Sequence, residues 1–242
     1  MLKTTFALLL TLPFAPMRPA LSEASVATPP GRVERAQTNT ETVDKTLSLA
    51  AGGTLRLKTF SGKVRITGGS GDQVVVHAVR RAKQDRLDDI KLEITQSGNT
   101  IEIDANHRLV ERKNDNVVET DLEIQVPART RLDIKTFSAP VTVIGVNADQ
   151  NIDGFSSSIT VESSEWNDHD LDINTFSGGV RLRLPASAKG NIDFNSFSGA
   201  FESDLPVTLS NSNRRNFRGS LNGGGNGDFR LKTFSGDVSI RK

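Results

Sequence analysis

Four aspartates recur on one face of a repeated strand, and they are the residues with the best claim to chemistry. The strand alternates apolar and polar side chains. Its two outward positions read, in chain order, Arg56/Lys58, Asp133/Lys135, Asn151/Asp153, Asp172/Asn174, Asp193/Asn195 and Arg230/Lys232. If the copies stack in chain order, Asp133, Asp153, Asp172, Asn174, Asp193 and Asn195 form an Asp/Asn ladder bracketed by basic end rungs. Carboxylates held near 5 Å repel by about 1 kcal/mol even in water, so the ladder invites amide partners or a cation, and oxygen ligands suit Ca2+. Clustered carboxylates in a groove would also serve an enzyme acting on polysaccharide. The ordinary reading is a solvated face, because exposed strand positions are polar as a rule.

Other candidates are thinner. Arg214, Arg215 and Arg218 around Phe217 form a cationic group suited to an anionic sugar or a phosphate. Asp168-His169-Asp170 offers metal-ligand chemistry, but His77, His107 and His169 are the only histidines and no second ligand pair has a recognisable spacing. It reads as a loop between coils, and no metal site is assigned. Gly223-Gly-Gly-Asn-Gly-Asp228 resembles phosphate loops and calcium-binding nonapeptides, yet lacks the Lys-Ser/Thr ending and tandem copies, so it reads as a turn-rich re-entry. A serine follows each repeat phenylalanine, at 61, 138, 156, 177, 198 and 235. A nucleophile is unique and has a base beside it. Six equivalent hydroxyls instead suit backbone groups at a corner. No catalytic residue and no cofactor is assigned beyond the calcium reading.

The elements that position these residues come from a phrase used six times: Leu57-Lys-Thr-Phe-Ser-Gly62, Ile134-Lys-Thr-Phe-Ser-Ala139, Ile152-Asp-Gly-Phe-Ser-Ser157, Ile173-Asn-Thr-Phe-Ser-Gly178, Phe194-Asn-Ser-Phe-Ser-Gly199 and Leu231-Lys-Thr-Phe-Ser-Gly236. A short unit repeated along a chain means one structural rung stacked on the next, since a rung cannot bury its apolar face alone. Phe137, Phe155, Phe176 and Phe197 are spaced by 18, 21 and 21 residues, which suits one solenoid coil of two short strands and two connections. Leu171, Ile173 and Thr175 share one parity, while Phe176, Gly178, Val180 and Leu182 share the other. A strand cannot aim adjacent side chains to one side unless the backbone turns between them. The Thr-Phe junction is therefore a corner. Stacked coils would pile Phe60, Phe137, Phe155, Phe176, Phe197 and Phe234 into a structural column, with the small residue two positions on making room for each ring.

The predicted fold is all-β: a parallel β-solenoid, or β-helix, of about six coils over 47–242. Two insertions interrupt it, an antiparallel β block at 72–126, with Gly98-Asn99 as a hairpin signal, and a Gly/Asn/Arg-rich loop at 203–227. Ala82 to Asp89 has helical character. Residues 1–24 read as a cleaved export signal: Lys3 gives a basic start, Phe6 to Phe14 an apolar stretch too short to span a bilayer, and Ser22 and Ala24 a small-residue exit. Residues 25–46 are polar and read as a flexible leader. There is no cysteine, hence neither a disulfide nor a lipid-modified cysteine anchor. The formal charge is +1, and removal of residues 1–24 takes away Lys3, Arg18 and Glu23 and leaves 0. A neutral chain lacks the basic footprint of a nucleic-acid binder.

The repeats, the export signal and the ending Gly219-Ser-Leu-Asn-Gly-Gly-Gly…Phe-Arg-Leu-Lys-Thr-Phe-Ser-Gly-Asp-Val-Ser-Ile240 resemble the bacterial DUF4097-type adhesin family of β-strand repeat proteins, over roughly Leu47 to Lys242. The resemblance implies a β-solenoid in the periplasm, at the cell surface or secreted, with no transmembrane anchor and no established enzymatic activity. An adhesin-like protein presenting a binding face to an envelope protein or glycan is the expected function. A polysaccharide-acting enzyme using the Asp/Asn face is the alternative. Self-association through the C-terminal coil is a third expectation, because the chain stops two residues after Ile240 and no sequence remains to cover that edge.

Overall fold

The computed structural model describes residues 38–110, 117–166, 168–213 and 215–242. The expected export signal, and the leader up to residue 37, lie outside them. In chain order the strands are β1 (Asn39–Ser48), β2 (Thr54–Thr59), β3 (Val64–Gly69), β4 (Gln73–Ala82), β5 (Ile90–Ser97), β6 (Thr100–Arg108) and β7 (Glu119–Pro127). The regular coils follow as β8 (Arg131–Thr136), β9 (Val141–Ile144), β10 (Gln150–Gly154), β11 (Ile159–Glu162), β12 (Leu171–Thr175) and β13 (Val180–Arg183). The remainder is β14 (Gly190–Ser196), β15 (Phe201–Ser203), β16 (Val207–Asn213), β17 (Asn216–Leu221), β18 (Asp228–Thr233) and β19 (Val238–Arg241). A short helix, α1 (Gln84–Asp89), follows β4 where the sequence has helical character.

Each coil is one strand, a corner, and a second strand on the facing sheet. The result is a two-sheet β-solenoid, mostly parallel, as the repeats predict. One sheet has ten strands in the order β16-β17-β14-β18-β12-β10-β8-β2-β6-β5, and the other nine in the order β1-β4-β7-β3-β9-β11-β13-β19-β15. Alternation drives this: Leu132 and Ile134, Ile152, Leu171 and Ile173 point inward from one sheet against Val141, Val143, Ile159, Val161, Val180 and Leu182 from the other, all buried. Each such side chain contributes about 1.5–3 kcal/mol on full burial.

At the corners Thr59, Thr136, Thr175, Ser196 and Thr233 end each inward row and are buried. Their hydroxyls close the turn. Thr136 Oγ1 accepts from the Ala139 N–H (3.1 Å), and Thr233 Oγ1 donates to the Gly236 carbonyl (2.7 Å). The serines tie one coil to the next, as Ser138 Oγ donates to the Phe60 carbonyl (3.1 Å). Where the small residue two after a Phe is glycine, it has a different reason from the expected one. A Cβ on Gly178 would lie 2.2 Å from the Ser157 carbonyl oxygen, and one on Gly236 2.0 Å from that of Gly178. The neighbouring coil's backbone fills the space, not the ring.

Several expectations are corrected. The leader ends earlier than residue 46, because Asn39–Ser48 pairs antiparallel with β4 over ten positions. The 72–126 block is only partly antiparallel: β4 pairs that way with β1 and β7, and β5 with β6, but β6 runs parallel to β2 and β7 parallel to β3. It therefore adds a coil of its own. Within it Arg80, fully buried, donates to Glu41 and to the Ile90 carbonyl, fastening β1 to β4 and β5. Within 203–227, β16 and β17 pair antiparallel with each other on the edge of β14 in place of the expected loop, because Val207/Leu209 and Phe217/Leu221 alternate and the β14 edge would otherwise be unpaired.

Stacking order also departs from chain order. β18 lies between β12 and β14, and β19 between β13 and β15. Both edges of the C-terminal coil are thus hydrogen-bonded within the chain, which removes it as the route of self-association.

Candidate functional site

The six repeat phenylalanines face outward. Inward Thr is followed by outward Phe, so the strand's alternation continues one residue further than the parity reading had it, and the phase changes within Phe-Ser-Gly. The rings stack in the order Phe60, Phe137, Phe155, Phe176, Phe234, Phe197, with centroids 4.6, 5.0, 4.9, 4.7 and 4.8 Å apart and planes within 13°. They form a ladder of roughly 24 Å, five steps at the inter-strand spacing. Phe137, Phe155, Phe176 and Phe234 are 43–47% exposed, and Phe197, at the ladder's end, 65%. Neighbouring rings cover most of each other's faces, so the ladder offers solvent its electropositive edges. An open face remains at Phe197.

Beside the ladder runs a groove of about 1100 Å3, whose other wall is Lys58, Lys135, Asp153, Asn174, Lys232 and Asn195. Cross-strand register places these side by side in that order, with Asp104 beyond Lys58 and Asn216 beyond Asn195. A second outward row reads Glu102, Arg56, Asp133, Asn151, Asp172, Arg230, Asp193, Arg218. Acid and base alternate along it except at Asn151, an amide between Asp133 and Asp172. Arg56 lies 3.9 Å from Asp133 and Arg218 3.2 Å from Asp193, while the Asn151 amide donates to Asp133 (3.5 Å). Lys58 and Glu102 pair at 2.7 Å, and that hydrogen bond holds the lysine above, and the carboxyl below, its ordinary range.

A family model described as Toastrack DUF4097 matches residues 21–241. The chain belongs to the toastrack DUF4097 family. Among solved structures the toastrack chain is similar to one from Clostridium sporogenes ATCC 15579, provisionally named a cell adhesion protein, with TM-score 0.63, 13% identity, and 83% of this chain and 99% of that one covered. A provisionally named adhesin from Bacteroides fragilis NCTC 9343 matches with TM-score 0.33 and 9% identity, covering 83% of this chain and 97% of that one. The first likeness shows a shared fold. No curated protein matches the chain.

The toastrack stacking order rearranges the predicted Asp/Asn ladder. Arg230 stands between Asp172 and Asp193, so the cation those carboxylates invite is a side chain of the protein. Partial burial works against its charge, but Asp170, Asp228 and Asp172 outweigh that and hold its guanidinium above the ordinary range. Asp153 faces Lys135 on one side and Asn174 on the other. Among the described residues no group of three or more His, Cys, Asp or Glu side chains gathers as a metal site requires.

The arginine candidates separate. Arg214 lies outside the described residues, Arg218 pairs with Asp193, and Arg215 borders a pocket of about 480 Å3 against Phe197. Asp168, His169 and Asp170 act as a clasp. His169 is buried against Trp166 with ring centroids 3.9 Å apart, Asp168 accepts from Asn226 (3.3 Å), and Asp170 accepts from the Asp228 N–H (3.0 Å). The Gly-rich segment is held there, since a Cβ on Gly227 would meet the His169 carbonyl at 2.6 Å.

Proposed function

We propose that this toastrack protein is a non-enzymatic, exported protein of the cell envelope that binds an elongated glycan or protein segment along the phenylalanine ladder. The observation that carries the reading is the exposure of five stacked rings in one unbroken line. An exposed apolar patch of several hundred Å2 rimmed by polar groups marks an interaction site. With each ring covering about 200 Å2, the exposed share of the ladder is roughly 500 Å2. Amides and lysines along the facing wall supply donors for hydroxyl, carbonyl or carboxylate oxygens, and the ring edges favour the same atoms. Export accords with the N-terminal sequence, and among the described residues no helix is long and apolar enough to cross a membrane. Alternation of Asp133, Asp172 and Asp193 with Asn151, Arg230 and Arg218 supports binding over polysaccharide cleavage, which needs acidic groups left unneutralised.

The test is a glycan array and an envelope pull-down with the wild-type protein and with a variant carrying Phe137→Leu, Phe155→Leu and Phe176→Leu. Leucine keeps apolar packing while removing the ring edges, and circular dichroism checks the fold. Retention of the partner is expected to fall by roughly tenfold or more. Arg181→Glu, on the outward face of the other sheet, is expected to leave it unchanged. Equal retention by wild type and the ladder variant would refute the ladder as the binding face.

A further inference from the structure

The two sheets end unevenly. β14 and β15 belong to one coil, but the ten-stranded sheet continues past β14 through β17 and β16, while the nine-stranded sheet stops at β15. This leaves a two-strand overhang. Its inner face carries Phe217 and Leu221 from β17, in register with Phe194 and Gly190, and Val207 and Leu209 from β16. Phe194, Phe201 and Phe217 pack beneath at centroid separations of 4.9–5.3 Å. Leu209 is 51% exposed although its parity is inward, and an apolar groove of about 560 Å3 opens between Phe201, Leu205, Val207, Leu209 and Phe217.

The strand bordering this groove is also the one edge without charge among the described residues. β1 carries Glu41, Asp44 and Lys45, β5 carries Lys91 and Glu93, and β15 is three residues long with Glu202 in its middle. β16 reads Val207-Thr-Leu-Ser-Asn-Ser-Asn213. Charges disfavour strand addition at β1 and β5, and the three residues of β15 are too few to template a strand by themselves. An uncharged edge of seven residues beside an uncovered apolar face admits it.

We propose that this end docks against the same end of a second copy, across a two-fold axis parallel to the strands. The argument is the matching offset. Each copy exceeds itself by two strands on one sheet and falls short by two on the other, so the overhang of one fills the shortfall of its partner. The partner's β16 then lies beside β15 and its β17 beyond. Leu209 packs on the partner's Phe217, and the reverse contact forms by symmetry, as an isologous interface demands. Directions agree as well. β16 runs parallel to β14, and therefore opposite to β15, so the new pairing is antiparallel. The same axis leaves the Thr-Phe corners of both copies on one edge of the dimer and the two phenylalanine ladders on its opposite faces.

Light scattering and sedimentation velocity on the full-length protein test this. A dimer is expected, and Leu209→Lys is expected to weaken it by roughly 100-fold, since two lysines then face an apolar interface. Leu209→Ser, a smaller perturbation, is expected to weaken it less while keeping the wild-type circular dichroism. Thr42→Lys, on β1 at the opposite end, is expected to leave it intact. A monomeric wild type, a dimer indifferent to both Leu209 substitutions, a dimer broken by Thr42→Lys, or open-ended filaments would each overturn the proposal. None of these outcomes depends on the ladder's ligand.

Discussion

Removing a ring from the middle of the ladder is expected to cost more than removing one from its end, by an amount the geometry sets. Phe155 is 46% exposed and stacks on both Phe137 and Phe176, whereas Phe197 is 65% exposed and stacks on Phe234 alone. For a side chain covering about 200 Å2, the buried share is about 110 Å2 in the first case and about 70 Å2 in the second. At about 25 cal/mol per Å2 these amount to about 2.7 and about 1.8 kcal/mol. Stacking adds about 1 kcal/mol per ring pair, two pairs for Phe155 and one for Phe197. Phe155→Ala is thus expected to destabilise by about 5 kcal/mol and Phe197→Ala by about 3 kcal/mol. Both are upper values because the unfolded chain already buries some of the ring, and the difference of about 2 kcal/mol is the firmer number. Urea unfolding followed by tryptophan fluorescence reads it directly, since Trp166 is the sole tryptophan and is buried against Phe229. The midpoints are expected to shift with little change in slope. A difference no larger than the roughly 0.9 kcal/mol that burial alone gives would show that stacking adds nothing, and would sink the ladder as a cooperative element.

Two further outcomes follow from the corners and the β1–β4 pair. Gly236→Ala places a Cβ 2.0 Å from the Gly178 carbonyl, backbone that has little room to move, and is expected to cost about 3 kcal/mol, against less than about 1 kcal/mol for Ser157→Ala at the matching place of another coil; thermal melts compare them. His77 Nδ1 lies 2.6 Å from Asp44 Oδ1 across that pair, and this hydrogen bond raises the imidazole above its ordinary 6.5. A folded value above the unfolded one gives stabilisation that is complete below about 6.5 and lost as pH rises through the folded value. His77→Gln is therefore expected to flatten that part of the melting-temperature profile, and a resonance titration placing His77 at or below 6.5 would contradict the assignment.

Periodicity carried most of the architecture. Leu171/Ile173/Thr175 and Val180/Leu182 mark two inward rows and a turn between them, and the turn lies there. Where parity misleads is Phe176, which it sets inward with Gly178 and Val180 but which is 47% exposed. A corner residue has one phase relative to the strand before it and another relative to the strand after it, and apolar character alone favours the inward choice. The inward Thr175 is legible; what the pattern does not show is that the strand geometry runs on through Phe176, so that the ring after an inward threonine faces out. Stacking order was hidden for a different reason. Nothing local to Phe229–Thr233 says which rungs flank it. The charges do so only in combination, since Arg230 relieves Asp172 and Asp193 at once, whereas chain order would set those two aspartates on adjacent rungs. The edge strand pair escaped notice because Asn, Ser and Arg dominate its composition, while its alternation rests on four residues: Val207, Leu209, Phe217 and Leu221.

The position of β18 and β19 has a consequence for time rather than space. The coil of β12–β13 and that of β14–β15 are consecutive in the chain, yet they meet only through a third coil made of later residues. Until residues 228–241 arrive, each of those coils has an unpaired edge on both sheets, and direct pairing between them would shut the later coil out. Contacts of such long sequence separation form slowly because loop closure precedes any gain from burial. The C-terminal coil therefore acts as a latch on completion: the solenoid reaches its native order only once residues 228–241 are in place.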